Sequence, residues 1–409
     1  MKGAAAAAAL ASAACLDGRN ASPPVTAHLL DEVARRACRF FHEQADPATG
    51  LVRDRARMAG CDARSVASIA ATGFGLSALS IADARGYLPR GAAEARVHRT
   101  LEFLARHGGH RHGFFYHFLD MGTGQRAWKS ELSSVDTAWL LCGVLHAREH
   151  FDTPAIRRAA DNLVARVDWR WMLDGGPTLR HGWTPETGFL PYRWDSYSEL
   201  LAMYLLALGS GAQPVPPASW DAWKRPPRHY GGLTWIGAAA PLFTHQYSHA
   251  WFDFRGRRDR YADYFENSRR ATEAHRLMCV ERAGEFPWYG PDMWGITAAD
   301  TMDGYRACER PDGTLVPCAA GGSLPFLPRA CAAVLQAMLD RYGSRVWGRY
   351  GFVDAFHPGQ GWYSPDVIGI NLGILALMIE NARCGGVWRE FMAAPEASRG
   401  IGAAGLLRA

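Results

Sequence analysis

The sequence predicts an all-α fold, an (α/α)6 barrel (toroid) with long loops lining one rim, on three observations. First, apolar residues recur at spacings of three and four through Val25–Ala45, Ser65–Arg85, Ala92–His107, Val135–His150, Pro154–Val167, Ser196–Leu208, Asp259–Glu281, Pro328–Tyr342 and Ile370–Ala382. Second, several of these helices, LLAMYLLAL from Leu200 among them, are apolar all round and must be buried on every side. Such helices form an inner layer wrapped by a second one. Third, strand-like alternation is short and rare, while the connections 174–194, 213–235, 286–294 and 354–365 are long and rich in Gly, Pro and aromatics. Loops of that length in a compact fold are usually functional. In this architecture the first turns of the inner helices and the loops before them line one pocket.

Composition bounds the rest. A chain of 409 residues with 48% hydrophobic and 21% charged residues can fill a core, which excludes a disordered or collagen-like polymer. At ~150 residues per domain the length permits two or three domains, but no Ser- or Gly-rich linker divides it. The chain therefore reads as one domain over 26–409 behind a leader or frayed extension over 1–25. The net charge is +5, and Lys2, Lys129 and Lys224 are the only lysines. The arginines are scattered without a basic stripe, which argues against nucleic-acid binding.

Nine cysteines without a C-x-x-C pair exclude a zinc ribbon and a dense disulfide scaffold. Cys142 in WLLCGVL reads as a small core hydrophobe. Cys308 and Cys318 flank the turn-rich ERPDGTLVP and are placed either to bridge or to stay free. Lys2 followed by the Ala-rich run to Ala14 has the form of a short secretion signal, and Ser12-Ala13-Ala14-Cys15 approaches a lipobox with Ser where Leu is usual. The expectation is a periplasmic or secreted protein with a lipid-anchor point at Cys15; without a working signal it is cytoplasmic. No segment has 18 consecutive apolar residues, so no membrane span is expected.

Two acid-bearing segments precede buried helices. Ser130-Glu131-Leu132-Ser133-Ser134-Val135-Asp136 runs into TAWLLCGVL, and Trp194-Asp195-Ser196-Tyr197-Ser198-Glu199 runs into LLAMYLLAL. Ser196-x-x-Glu199 is a capping box and Ser133-x-x-Asp136 a related cap, so capping and catalysis are equally good readings of the pattern. Trp128, Trp139, Trp194 and Tyr197 beside them favour a sugar site. Of the 15 tryptophans, Trp183, Trp194, Trp220, Trp223, Trp235, Trp288 and Trp362 fall in the long loops, where they read as ligand surface rather than core. Glycoside hydrolysis needs two carboxyl groups across the scissile bond, one holding a proton and one ionised.

Other patterns are weaker. His245 and His249 stand four apart, as zinc ligands do on a helix, but Gln246 sits where a metalloprotease needs its Glu; they read as polar pocket wall or satisfied core, and no metal is expected. Gly73-x-Gly75-x-x-Ala78 has no strand before it and reads as a helix-packing pair, not a nucleotide site. Asp354 and Asp366 lie on Gly/aromatic segments, with loop-ordering as the ordinary role and, for Asp366, a pocket role favoured by the buried helix that follows.

The runs FFHEQADPATGLVRDR, SELSSVDTAWLLCG, RWDSYSELLAMYLLALGS, PLFTHQYSHAWFDFRG, YFENSRRAT, WGITAADTMDGY, DGTLVPCAAGGSLPF, YGFVDAFHPG and GILALMIENAR, in this order from Phe40 to Met392, resemble the glucoamylase-like domain family. Characterised members of that family include bacterial β-1,2-glucan hydrolases. The resemblance implies an (α/α)6 barrel, hydrolysis of β-1,2-linked glucans or sophoro-oligosaccharides without a cofactor, and action outside the cytoplasm. It makes Glu199 the general acid, Glu131 and Asp136 the second acidic motif, and Asp366 a further base candidate. Trp139, Trp194, Tyr197, His245, His249, Trp251, Trp294 and Trp362 become substrate-binding residues. Many relatives read G-I-D-Q-G where this chain has Gly369-Ile370-Asn371-Leu372-Gly373, and an Asn cannot serve as a carboxylate base. Inversion is the expected stereochemistry. The competing readings are a non-catalytic glycan-binding protein, and a transglycosylase or glucosidase of the same fold acting on another linkage.

Overall fold

The structure is a computed structural model that describes residues 24–107 and 109–408. The expected leader and the lipid-anchor point at Cys15 lie outside the described residues. The fold is predominantly helical, and its helices divide by burial into two sets. Amphipathic helices lie outside: α1 (Pro24–Glu43), α3 (Ala92–Arg106), α5 (Pro154–Ala165), α8 (Tyr264–Glu281), α10 (Pro328–Tyr342) and α12 (Pro395–Ala403). Nearly all residues are buried in α2 (Ile69–Arg85), α4 (Ser134–Phe151), α6 (Leu201–Gly209), α7 (Phe243–Gln246) with the 3-10 turn Tyr247–Ala250, α9 (Pro317–Gly321) and α11 (Gly369–Cys384).

Each buried helix packs on the next. α2 meets α4, α4 meets α6, and α6 meets the 3-10 turn after α7. The Gln246 side-chain amide then donates to the Ala319 carbonyl of α9 at 2.8 Å. α9 packs on α11, and α11 returns to α2. The outer helices cover these seams: α1 on α2 and α11, α5 on α4, α12 on α6, and α10 on α9. α2 and α4 approach closely enough that a Cβ on Gly143 would meet the backbone of Gly73. The Gly73 motif is therefore a packing device, as its sequence context implies.

Short strands steer the helix starts. β1 (Arg55–Arg57) pairs with β9 (Asp366–Ile368), and β2 (Val66–Ser68) pairs with β3 (Phe118–Asp120). β4 (Leu132–Ser133), β5 (Gly182–Thr184) and β6 (Gly188–Phe189) form one small sheet, and β7 (Ala298–Thr301) and β8 (Gly304–Ala307) form a hairpin. β2, β4 and β9 run without a break into α2, α4 and α11. Ser68 and Ser133 end their strands and cap the helices that follow, accepting from the backbone N–H of Ala71 and Asp136 at 3.2 Å.

Several expectations are corrected. The helix expected from Ser196 begins at Leu201, so the Ser196–Glu199 capping box does not form. The backbone there is engaged elsewhere, since Tyr197 N–H donates to Lys224 O at 2.9 Å and Lys224 N–H to Asp195 O at 2.7 Å. Cys308 and Cys318, whose pairing the sequence leaves open, are free thiols. Trp220, Trp223 and Trp235 belong to the core, not to a ligand surface. The 213–235 segment folds back on α8 and the turn before it: Arg225 Nε donates to the Tyr264 hydroxyl at 3.0 Å, Trp220 donates to Asp259 at 2.8 Å, and Arg225 lies 3.4 Å above the Trp223 ring. Among the described residues no helix is long and apolar enough to cross a membrane.

Candidate active site

The starts of the inner helices surround a cleft of about 450 Å³ lined by Glu131, Asp136, Trp139, Trp194 and Glu199 among the residues expected from sequence. Glu199 sits two residues before α6. Because no cap forms there, its carboxyl group is left to the cleft. Ser248 fixes its backbone: the Ser248 hydroxyl donates to Glu199 O and accepts from Ala202 N–H, both at 2.9 Å. Burial, and behind it the nearby Asp136 charge, push the Glu199 carboxyl up to about 7. It therefore holds its proton in a substantial fraction of molecules at neutral pH.

Asp136 lies in the first turn of α4, buried and hydrogen-bonded by the Ser133 hydroxyl. Capping and site chemistry thus coexist at this helix start. Burial raises its proton affinity, and the adjacent His117 opposes this. The His117 ring stacks on Phe118 at 3.9 Å and lies between two acids, with Nδ1 3.1 Å from Glu131 Oε1 and Nε2 3.7 Å from Asp136 Oδ1. Burial works against its positive charge, but Asp136 and Glu131 outweigh burial and push the imidazole up to about 9. Burial likewise raises Glu131, yet its bond to His117 holds that carboxyl below the ordinary range. The cleft therefore pairs a proton-holding carboxyl with an ionised one.

His117, Glu131 and Asp136 offer one ligand atom each within 4.8 Å of one another, a spacing compatible with a cation. The His117 ring lies between the two carboxylates and serves as the ion-pair partner of both. His117 was not legible in the sequence, and neither were Asp54, Arg55, His181, Tyr247 or Tyr305, which also line the cleft. Arg55 joins Asp54 at 3.1 Å and Asp300 at 2.7 Å. His181 stacks on Trp194 at 3.9 Å, and the Trp194 indole N–H donates to Ser134 at 2.9 Å.

The structure does not bring the other expected residues to the cleft. Asp366 is tied to the Arg64 guanidinium by bonds of 2.6 and 2.9 Å, a fork that occupies both carboxylate oxygens. Tyr197 and His245 are buried together behind the cleft, with the Tyr197 hydroxyl 3.1 Å from His245 Nδ1 and His245 Nε2 2.6 Å from Ala238 O. His249 bonds Ser268 at 3.0 Å. Burial lowers the two histidines to about 4 and about 3, so both are neutral core groups. Trp251 and Trp294 are also core, with Trp251 donating to Ser77 at 2.9 Å. Trp362 lines a separate cavity. Asn371, the departure from G-I-D-Q-G, is a buried strut: its amide N–H₂ donates to Asp354 at 2.8 Å and Ala298 O at 3.0 Å, and its oxygen accepts from the Tyr247 hydroxyl.

His117 has a consequence for stability. Its folded pKa of about 9 exceeds its ordinary value of 6.5, so its stabilising contribution is fully present below pH 6.5 and is lost as pH rises through 9. In urea unfolding, wild type is expected to exceed His117→Gln at pH 6, with the gap shrinking by pH 9.5. A gap independent of pH would show that the ion triad contributes nothing.

The comparisons agree with this geometry. The Glycoamylase family model, described as "Putative glucoamylase", matches residues 191–395, half of the chain and the part that carries Glu199. An exo β-1,2-glucooligosaccharide sophorohydrolase (non-reducing end) from Parabacteroides distasonis is 29% identical over 93% of this chain, and the chain spans 58% of that relative's length. An endo-β-1,2-glucanase from Chitinophaga pinensis, solved with sophorotriose and glucose, superposes with a TM-score of 0.88 at 26% identity, covering 93% of this chain and 98% of that one. An endo-β-1,2-glucanase from Talaromyces funiculosus, at 12% identity and a TM-score of 0.66 over 91% of this chain and 89% of that one, shares the fold. On the family match together with these alignments, the chain belongs to the glucoamylase-like family.

Proposed function

We propose that this protein is a glycoside hydrolase of β-1,2-linked glucans or sophoro-oligosaccharides, with Glu199 as general acid. The observation that carries the reading is the contrast within one aromatic cleft between Glu199, pushed up to about 7, and Glu131, held ionised by His117. Glycosidic cleavage needs that division of roles: one group protonates the departing oxygen, the other activates water or attacks the sugar. The β-1,2 linkage rests on the named activities of the relatives from Parabacteroides distasonis and Chitinophaga pinensis. Trp139, Trp194 and the His181–Trp194 stack are the sugar-facing surfaces of this reading.

The inner helices that pack each on the next, with outer helices over their seams, support an (α/α)6 closure. We assign inversion as the stereochemical course, with water activated by the Glu131–His117–Asp136 group. The Lys2–Cys15 segment supports export to the periplasm.

Product analysis over a panel of β-linked glucans tests the reading. Release of sophoro-oligosaccharides or sophorose from linear β-1,2-glucan is expected, with α-configured products in the first NMR spectra. No release from β-1,2-glucan, or turnover confined to another linkage, would remove the assignment.

A further inference from the structure

The hairpin β7–β8 is a wall with two faces. Its register sets Asp300 opposite Tyr305 and Ala299 opposite Arg306, so alternate residues point to opposite sides. Ala298 and Tyr305, on one face, line the main cleft. Thr301 and Arg306, on the other, line a second cavity of about 120 Å³. Across that cavity stands another two-stranded hairpin, in which His357 pairs with Trp362, and both of these residues line it as well. Two half-exposed apolar side chains stand on the ribbon, Tyr305 bordering the cleft and Met302 bordering the second cavity.

The chemistry of this second space is specific. Trp362 is half-buried, so part of its indole remains free as a stacking platform. The charges are of mixed sign, with Arg306 paired to Asp312 and Asp303 exposed at the hairpin turn, which suits neither an anion nor a cation. Short hydroxyls and carboxylates beside an aromatic plane suit a neutral polyhydroxylated ring. His357 is half-buried against Phe286 and Trp288, and its Nε2 lies 3.3 Å from Asp312 O, which fixes the ring in the wall of the cavity.

We propose that this cavity is an accessory glucan-binding site, taking a single glucosyl unit on Trp362 and separated from the hydrolytic cleft by the β7–β8 ribbon. The inference rests on the glucan-hydrolase reading for the identity of the sugar. A chain long enough to cross Tyr305 and Met302 engages both spaces, whereas a short oligosaccharide occupies them independently. The site thus favours long substrates.

Calorimetric titration of β-1,2-linked glucotriose into the Glu199→Gln protein tests this directly. Two sites are expected, and Trp362→Ala on that background leaves one. Asp303→Ala, a change at an exposed turn, weakens the same site and guards against a folding defect at Trp362. In the otherwise wild-type enzyme, Trp362→Ala lowers the ratio of kcat/KM on long glucan to that on the triose by about three- to tenfold. One site in the Glu199→Gln protein, or two that persist without Trp362, overturns the proposal. Two titrating sites without glucan turnover by wild type would sink the hydrolase assignment and leave this site standing. Turnover with one titrating site would do the reverse.

Discussion

Glu199→Gln lowers kcat on β-1,2-glucan by about 10²–10⁴-fold, the range for loss of a positioned general acid, and does not lower the unfolding temperature. Gln keeps the shape and the neutrality of the protonated acid but has no proton to deliver. The same proton sets the pH profile. Because the group is pushed up to about 7 by burial and by the Asp136 charge, kcat/KM of wild type falls as pH rises through 7, when the acid is lost. The stability effect has the opposite benefit. The folded carboxyl binds its proton more tightly than an ordinary Glu at 4.5, so its contribution falls as pH rises from 4.5 through about 7. Above that range the wild-type protein holds two repelling carboxylates, Glu199 and Asp136, which the variant does not. Thermal unfolding at pH 8 should therefore place Glu199→Gln level with wild type or above it, while at pH 5 the two coincide. An unchanged kcat would take Glu199 out of the acid role, and a variant less stable at pH 8 would show that its charge is compensated elsewhere.

What made this site readable was helix periodicity. The Pro328–Tyr342 helix was legible to the residue because Pro opens it and apolar positions recur on one face. α4 and α11 were legible because their sequences are apolar on all sides. α9, with five residues, is too short to carry a period, and β2, β4 and β9 are too short to show alternation. Those three strands nevertheless aim the helix starts at the cleft. The Ser196–Glu199 box illustrates a local signal defeated by a tertiary one: Asp195 O and Tyr197 N–H bond the Lys224 backbone, which holds the segment in a bridge, and the helix starts only at Leu201. The loop tryptophans misled for a related reason. A long loop that folds back on an outer helix buries its aromatics as a helix would, and Trp220, Trp223 and Trp235 do so. His117 carried no motif of its own, and nothing within FFHEQADPATGLVRDR singled out Asp54. Their role depends on β2–β3 and β1–β9 pairing, which brings the segments around residues 54, 117 and 366 to one rim and which no window of sequence contains.

Gly143→Ala is expected to destabilise the protein by about 2 kcal/mol or more, although alanine is the better helix former by ~1 kcal/mol. A Cβ on Gly143 would lie 2.0 Å from Gly73 O, and one on Gly73 would lie 2.4 Å from Trp139 O and 2.6 Å from Leu140 Cα. All of these obstacles are backbone, so no rotamer change relieves them, and α2 must move away from α4. That movement opens the seam between the two helices, and it shifts Asp136 and Trp139, which α4 carries into the cleft. Gly73→Ala acts on the same seam from the other side. The two substitutions are therefore not additive. Once the first has separated the helices, the second finds space already made, and the double variant should lose clearly less stability than the sum of the singles. Denaturant midpoints of the three variants decide it. If Gly143→Ala raised the midpoint, helix propensity would outweigh contact, and the backbone approach of α2 and α4 would not set the position of Asp136. If the double variant were additive, the two glycines would be serving separate neighbours rather than one shared seam.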